Sequence, residues 1–287
     1  MQLRKSAQTG LPPSPSMIES LQTIAQRAGE SILSFYGQPI PAEKKADDSP
    51  LTLADLAAHR VIVEGLRDLD SAIPVLSEES SETDILHRRS WETLWVVDPM
   101  DGTKEFIKQT GEFTVNIALV RSGVPHLGLV YVPAKKLFYW AEAGMGAFKQ
   151  AEGGAVERIQ TRKPHADALD IVASRDHAGP MVADLLHRFP TAQTRSMGSS
   201  LKFCQVAEGM ADLYLRDVPT MEWDTAAAQC VVEQAGGCVQ DLEGQTLSYN
   251  RENLRNPSLI TMGDPSFDWR GGSMEKAATD SMGDPEA

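Results

Sequence analysis

The residues with the clearest chemical potential are gathered in Asp98-Pro99-Met100-Asp101-Gly102-Thr103, where two carboxylates flank a turn. The segment follows the apolar run LWVV and precedes a stretch that reads as a helix. Proline fixes its own φ and has no N–H, and glycine enters backbone conformations closed to other residues. The chain can therefore bend sharply with both acids on one side, and the Met100 carbonyl can join them. Such a set suits Mg²⁺, which takes hard oxygen ligands in octahedral geometry and keeps some water, whereas zinc more often wants His or Cys. Taken alone, the same residues are also those of an ordinary surface turn.

Two further acidic positions shift the balance. Glu78-Glu79 ends the strand-like run IPVL, and Asp224 opens the helical stretch WDTAAAQCVVEQAGG. Separately, the first is a solvated acidic pair and the second a helix N-cap. Together with Asp98 and Asp101 they favour a metal site. Two ions about 4 Å apart can clamp a phosphoryl group, one lowering the pKa of the attacking water and the other stabilising the leaving oxygen. In that arrangement Asp98 bridges the ions. Glu78 and the Met100 carbonyl complete one ion, and Asp101 with Asp224 complete the other. Thr103 polarises the water, and its backbone N–H, with that of Gly102, opens a helix and can hold phosphate oxygens. The plain alternative for Thr103 is a helix cap.

These groups need elements to position them. Met17, Ile18, Leu21, Ile24, Ala25, Ala28, Ile32 and Leu33 recur at helical spacing, with Gly37 as a stop. A second helix is expected over 53–69, with Thr52 as N-cap, Asp55 in the capping-box position, and Leu56, Val63 and Leu66 facing the core. Strands are expected over 73–76 and 93–97, each running directly into an acidic cluster, then over 113–120, 127–132 and 137–141 before the Gly-rich GMGAF. Beyond residue 160 the pattern restarts, with a strand over 170–173, helices near 180–188 and 199–208, a strand over 211–215 and a helix after Trp223. This reads as a polar tail over 1–15, an α+β half over 16–160 that carries the acids, a second half over 161–268, and a tail over 269–287.

Composition narrows the classes. With 287 residues and 41% apolar content the chain can bury a proper core. Its net charge of -13 argues against holding a nucleic-acid polymer, which relies on excess Lys and Arg. An anionic substrate would need local cations. The three cysteines, Cys204, Cys230 and Cys238, show neither disulfide-framework nor zinc-site spacing, which fits a reducing cytoplasm. No apolar run approaches the roughly 20 residues that span a bilayer, which leaves peripheral contact with the inner face of the cell membrane open.

The segments LSEES, DPMDGTKEF and EWDTAAAQCVVEQAGG resemble, in order and spacing, the acidic strand end, DPxDGTxxF and WDxAA…AGG motifs of the inositol monophosphatase superfamily. The similarity runs from about Met17 to Met262. It implies a layered αβαβα sandwich of the sugar-phosphatase type, dependence on two or three Mg²⁺ ions, lithium inhibition and frequent homodimers. Within the superfamily, GTKEFIKQTGEFTVNIALV and SMGSSLKFCQVAEG are similar to the bacterial 3′(2′),5′-bisphosphate nucleotidases. This implies removal of the 3′-phosphate of adenosine 3′,5′-bisphosphate. In ADLYLRDVPTMEWD, Arg216 stands where the inositol enzymes place a hydroxyl-binding glutamate, and arginine suits phosphate.

By the same resemblance SRDH brings Ser174 and His177, and GSSLK brings Gly198 and Lys202, to the nucleotide. Asp55 becomes a catalytic helper beside Glu78 and Thr103. Each has an ordinary alternative: helix caps for Ser174, His177 and Asp55, a turn for Gly198, a solvated helix position for Lys202. The rival functions are an inositol or other sugar monophosphatase on the same fold, a non-catalytic Mg²⁺- or Li⁺-binding regulator, and a nucleotide-binding module without turnover.

Overall fold

The first helix, α1 (Met17–Leu33), begins where its chemistry says it should. Ser16 Oγ accepts the Glu19 N–H at 3.2 Å and Glu19 returns a carboxylate to the Ser16 N–H at 2.7 Å, a reciprocal capping box. A computed structural model of the chain describes residues 16–38, 50–164, 168–174 and 179–270. The second helix, α2 (Pro50–Leu69), starts earlier than expected, so Thr52 lies inside its first turn and is not its N-cap. Its buried stripe is Ala54, Ala58, Ile62 and Leu66, an i, i+4 series. Of the expected core residues only Leu66 falls on that stripe, while Leu56 and Val63 are half-buried beside it.

Seven strands follow in sequence order across one sheet: β1 (Val75–Ser77), β2 (Thr93–Asp101), β3 (Thr114–Arg121), β4 (Val124–Val132), β5 (Leu137–Glu142), β6 (Gly146–Ala151) and β7 (Glu157–Ile159). A short helix, α3 (Thr103–Ile107), interrupts the turn from β2 to β3. β1 pairs parallel to β2, and every later neighbour is antiparallel. Strand periodicity sorts the side chains between two faces. Trp95, Val97, Ile117, Leu129 and Tyr131 pack with α1 and α2. Leu94, Val96, Ala118, Val120 and Val130 face the opposite way.

The rest of the chain supplies β8 (Asp170–Ser174), α4 (Pro180–Arg188), β9 (Gln193–Met197), α5 (Leu201–Ala207), β10 (Leu213–Arg216), α6 (Glu222–Gln234), β11 (Cys238–Asp241) and β12 (Leu259–Met262). The five strands form a mixed sheet in the order β11-β12-β10-β8-β9. α5 and α6 lie between the two sheets, and α4 packs Val182 and Leu185 against the outer face of the smaller one. The architecture is the expected α+β sandwich of αβαβα layers.

Being covered on both sides, α6 is buried from Thr225 to Val232 and has little amphipathic character. Its close approach depends on Gly128 of β4, where an added Cβ would stand 2.2 Å from the Ala227 carbonyl oxygen. The tails expected over 1–15 and 269–287 lie outside the described residues except at Trp269 and Arg270. Trp269 is buried, with the Arg188 guanidinium 5.7 Å from its ring centroid. Among the described residues no helix is long and apolar enough to cross a membrane.

Candidate metal centre and adjoining pocket

Strand register explains how two acids three residues apart reach the same side. Along β2 the even positions Leu94 and Val96 face α5 and α6, and Asp98, opposite Asn116, continues that face. The next pair in register is Asp101 with Thr114, so β2 advances three residues while β3 advances two. This bulge reverses the alternation and returns Asp101 to the face of Asp98. Pro99, which cannot donate to a ladder, sits within the bulge. The Met100 N–H bonds back to Asp98 Oδ1 at 3.0 Å, while the Met100 side chain is buried towards α1 and α2. Gly102 ends the turn at φ +99°, where an added Cβ would press on Phe113 Cα and Ser199 Cβ, both at 3.1 Å. Glycine is needed there for conformation and for space.

Three acids from three elements converge. Carboxylate oxygens of Glu78, just past β1, of Asp98 in β2 and of Asp224 in α6 lie within 4.8 Å of one another. Asp101 stands beside them, its Oδ2 accepting the Ser200 N–H at 2.6 Å. Asp224 is not the N-cap of α6. Met221 holds that place, and Asp224, one turn in, accepts the Met221 N–H at 2.8 Å. The start of α6 is fixed from below by Glu222, fully buried, which accepts the backbone N–H groups of Asn250 at 2.6 Å and Arg251 at 3.0 Å. Between them, half-buried Trp223 draws the Glu78 pKa down against burial and the neighbouring acids. Glu222 thus anchors the start of the helix that supplies Asp224.

Crowded carboxyls resist ionisation. Burial first, then the charges of Asp101, Glu78, Asp224 and Asp55, holds Asp98 well above the carboxylate range. Loss of surrounding water and then the Asp101 charge push Glu78 and Asp224 each up to about 7. Desolvation followed by Glu79 and Glu78 takes Asp55 up to about 8. Asp55 Oδ1 is buried without a hydrogen-bond partner among the described residues. The electrostatics of Asp55 make Glu79 part of the same cluster, a role its place in the acidic pair left unassigned.

Beside the acids opens a pocket bounded by Asp101, Thr103, Lys202, Tyr214, Arg216 and Asp224. Thr103 is exposed at the first position of α3, and Gly102, not Thr103, holds the cap position. Lys202 is not a solvated helix residue. It is 5% exposed, donates to the Ser199 carbonyl at 2.7 Å, and lies 5.4 Å from the Tyr214 ring centroid. Burial lowers its pKa to about 8, with Asp101 pulling the other way. Arg216, at the end of β10, is half-buried, and its Nε reaches the Val218 carbonyl at 3.3 Å. Gly198 donates its N–H to Glu112 at 3.0 Å and leaves no room for a Cβ, which would fall 2.2 Å from Glu105 Cγ. Ser174 ends β8, and His177 lies outside the described residues.

Comparison with known proteins agrees with this geometry. The model of the inositol monophosphatase family matches residues 15–266. A protein of Salmonella typhimurium named 3′(2′),5′-bisphosphate nucleotidase CysQ is 48% identical over 246 residues, covering 85% of this chain and 98% of its own. One of the same name from Haemophilus influenzae is 35% identical over 257 residues, covering 88% and 95%. The crystal structure of CysQ from Bacteroides thetaiotaomicron, described as a bacterial member of the inositol monophosphatase family, superposes with a TM-score of 0.76 at 44% identity. It covers 85% of this chain and 97% of that one.

Proposed function

We propose, from the premise that this chain belongs to the inositol monophosphatase family, that it is a Mg²⁺-dependent phosphomonoesterase releasing the 3′-phosphate of adenosine 3′,5′-bisphosphate to leave AMP. The observation that carries this reading is the convergence of Glu78, Asp98 and Asp224 within 4.8 Å at the edge of a pocket bearing Lys202 and Arg216. Relatives named as bisphosphate nucleotidases at 35% to 48% identity support the choice of substrate.

The donor set fits a hard divalent cation. All its members are oxygens, their mutual repulsion favours a counter-charge, and the buried Asp55 Oδ1 lacks a partner among the described residues. Glu78, Asp98, the Met100 carbonyl, Asp101 and Asp224 would hold two or three Mg²⁺ ions. Bound there, such ions neutralise phosphoryl charge and lower the pKa of water.

The remaining chemistry belongs to the chain. Thr103 holds the attacking water through its hydroxyl, and Asp55, with Glu78, receives hydrogen bonds from water on the far side of the cluster. The water oxygen bonds phosphorus as the P–O3′ bond breaks. The water, oriented by the Thr103 hydroxyl, gives up its proton to the Glu78 carboxylate, and the 3′-oxygen leaves as a hydroxyl after taking a proton from solvent. Backbone N–H groups of Gly102 and Thr103 hold the phosphoryl oxygens. Arg216 grips the 5′-phosphate as a planar donor, Lys202 adds fixed positive charge, and Ser174, His177 and Gly198 border the nucleoside. The chain divides near residue 160 into a metal half and a substrate half. In this reading the enzyme works in the cytoplasm.

The test is phosphate release from adenosine 3′,5′-bisphosphate, its sulfated relative, inositol 1,4-bisphosphate and inositol monophosphate, with Mg²⁺ present, chelated, or opposed by Li⁺. The expected result is Mg²⁺-dependent, Li⁺-inhibited turnover fastest on the adenosine compounds. Preference for inositol monophosphate would replace this reading with the sugar-phosphatase one.

A further inference from the structure

On β3 the side chains that face α6 are Thr114, Asn116, Ala118 and Val120, and the strand changes from apolar to polar only where it reaches the acids. Both polar residues are buried, Thr114 completely and Asn116 to 1% exposure. In register Asn116 lies opposite Asp98, and Thr114 opposite Asp101. Asn116 Oδ1 accepts from Ser200 Oγ at 2.8 Å, Ser200 Oγ lies 2.8 Å from Thr114 Oγ1, and Thr114 Oγ1 donates to Ser199 Oγ at 3.3 Å. The same Ser200 gives its backbone N–H to Asp101. Ser199, at φ +45°, holds a left-handed conformation that few non-glycine residues adopt, so this bonding fixes a loop that would otherwise relax.

The other end of Asn116 is unspent. Its Nδ2 is buried without a hydrogen-bond partner among the described residues, an expensive condition for a group with two donors. Alanine or valine, which fill this face at 118 and 120, would serve packing alone. The acceptors one rung away are the carboxylates of the cluster.

We propose that Asn116 and Thr114 are positioning residues for divalent-ion binding, both setting Asp101 through Ser200, with the unpartnered Asn116 Nδ2 on the strand position opposite Asp98. This rests on the metal-dependent reading above. Carboxylates that hold a metal are themselves held by outer hydrogen bonds, and losing such a bond costs about 10- to 100-fold in metal affinity. The arrangement also indexes the Lys202 loop to the acids, because Ser199 accepts the Lys202 ammonium on its carbonyl while its hydroxyl meets Thr114.

The experiment is calorimetric titration with Mn²⁺, alongside the Mg²⁺ dependence of kcat and KM, for the wild type, Asn116→Leu, Thr114→Val, Thr114→Ser and Asp98→Asn. The expected result is an Mn²⁺ Kd raised about tenfold or more in Asn116→Leu and, to a smaller degree, in Thr114→Val. Thr114→Ser, which keeps the hydroxyl, retains wild-type affinity. Wild-type Mn²⁺ affinity in Asn116→Leu would overturn the proposal, as would equal weakening in Thr114→Ser and Thr114→Val, which would leave only side-chain volume. Should Asn116→Leu not fold, the threonine pair decides. If Asp98→Asn loses Mn²⁺ binding while the Asn116 and Thr114 variants do not, the metal-dependent reading stands and this inference alone fails. If the wild type binds no Mn²⁺, both fall.

Discussion

At the edge of the larger sheet Glu78, Asp98 and Asp101 come from adjacent strand ends, joined by Asp224 from α6, and the backbone aims the β2 pair: a bulge at Pro99-Met100 and a left-handed Gly102. Across the pocket, on the side of the smaller sheet, Lys202 and Arg216 come from the start of a helix and the end of a strand. They are held by carbonyls of Ser199 and Val218. The acid side concentrates like charges against their own repulsion, whereas the basic side spreads two cations over a wall they share with Tyr214. The first is built for an ion that offsets the repulsion, and the second for an anion with more than one charged end. Chemistry and recognition therefore rest on groups of opposite charge on facing sides of one pocket and are separable by mutation.

The strongest way to break that separation is Asp98→Asn. Loss of this carboxylate is expected to lower kcat for phosphate release by about 10³-fold or more at saturating Mg²⁺, roughly 4 kcal/mol of barrier. Thermal unfolding of the metal-free protein should not fall, because folding forces buried Asp98 to take up a proton and the neutral amide escapes that cost. Near-normal turnover would dissolve the distinction. Arg216→Glu probes the other side. The expected effect is a KM for adenosine 3′,5′-bisphosphate raised about tenfold or more, with a smaller change for a simple monophosphate and kcat nearly kept. Equal losses for both substrates would mean that Arg216 serves the scissile phosphate instead of the distal one.

The two sides also differed in how far the chain alone revealed them. The acids were legible because Pro99, Gly102 and the strand before them report a turn within a few residues, and Glu78 and Asp224 sit at the ends of apolar runs. Even so, the bulge that returns Asp101 to the face of Asp98 depends on pairing with β3. The acceptor role of Asp224 one turn into α6 depends on where that helix begins. Local spacing sets neither. Lys202 looked solvated because a lysine in a short helix usually is, and only the packing of Phe203 and Tyr214 around it says otherwise. β9 (QTRSM) had no readable alternation because nearly all of it is exposed, and β11 and β12 are four residues each. Ser200 and Asn116 carried no signal until tertiary contact joined them.

A packing change tests whether the two sides share a mount. α6 carries Asp224 and crosses β4 at Gly128, where a Cβ would sit 2.2 Å from the Ala227 carbonyl oxygen. Gly128→Ala is expected to destabilise the fold by about 1–3 kcal/mol, as overpacking against backbone does, measured by urea unfolding. Because the displaced helix bears a metal-side acid, the Mg²⁺ requirement should rise while the KM for bisphosphate at saturating Mg²⁺ stays near wild type. A stability like that of the wild type would show that α6 can shift freely.

The smallest effect reads the charge difference directly, through stability against pH. Asp55 at about 8 and Glu78 and Asp224 at about 7 lie above the ordinary values of 3.8 and 4.5, so between pH 8 and 5 the folded protein holds more protons than the unfolded chain. Stability of the metal-free protein must rise as pH falls through that window. His59, whose pKa burial lowers, opposes the rise towards its lower end. Lys202, lowered to about 8, is protonated in both states across most of the window and changes stability mainly above it, where rising pH favours the fold. The expected observation is a Tm for chelator-treated protein that climbs by a few degrees from pH 8 to pH 5. The gain on adding Mg²⁺ should be largest at pH 8 and shrink as protons compete for the same oxygens. A flat or falling Tm without metal would mean that the acids do not repel one another as their positions require.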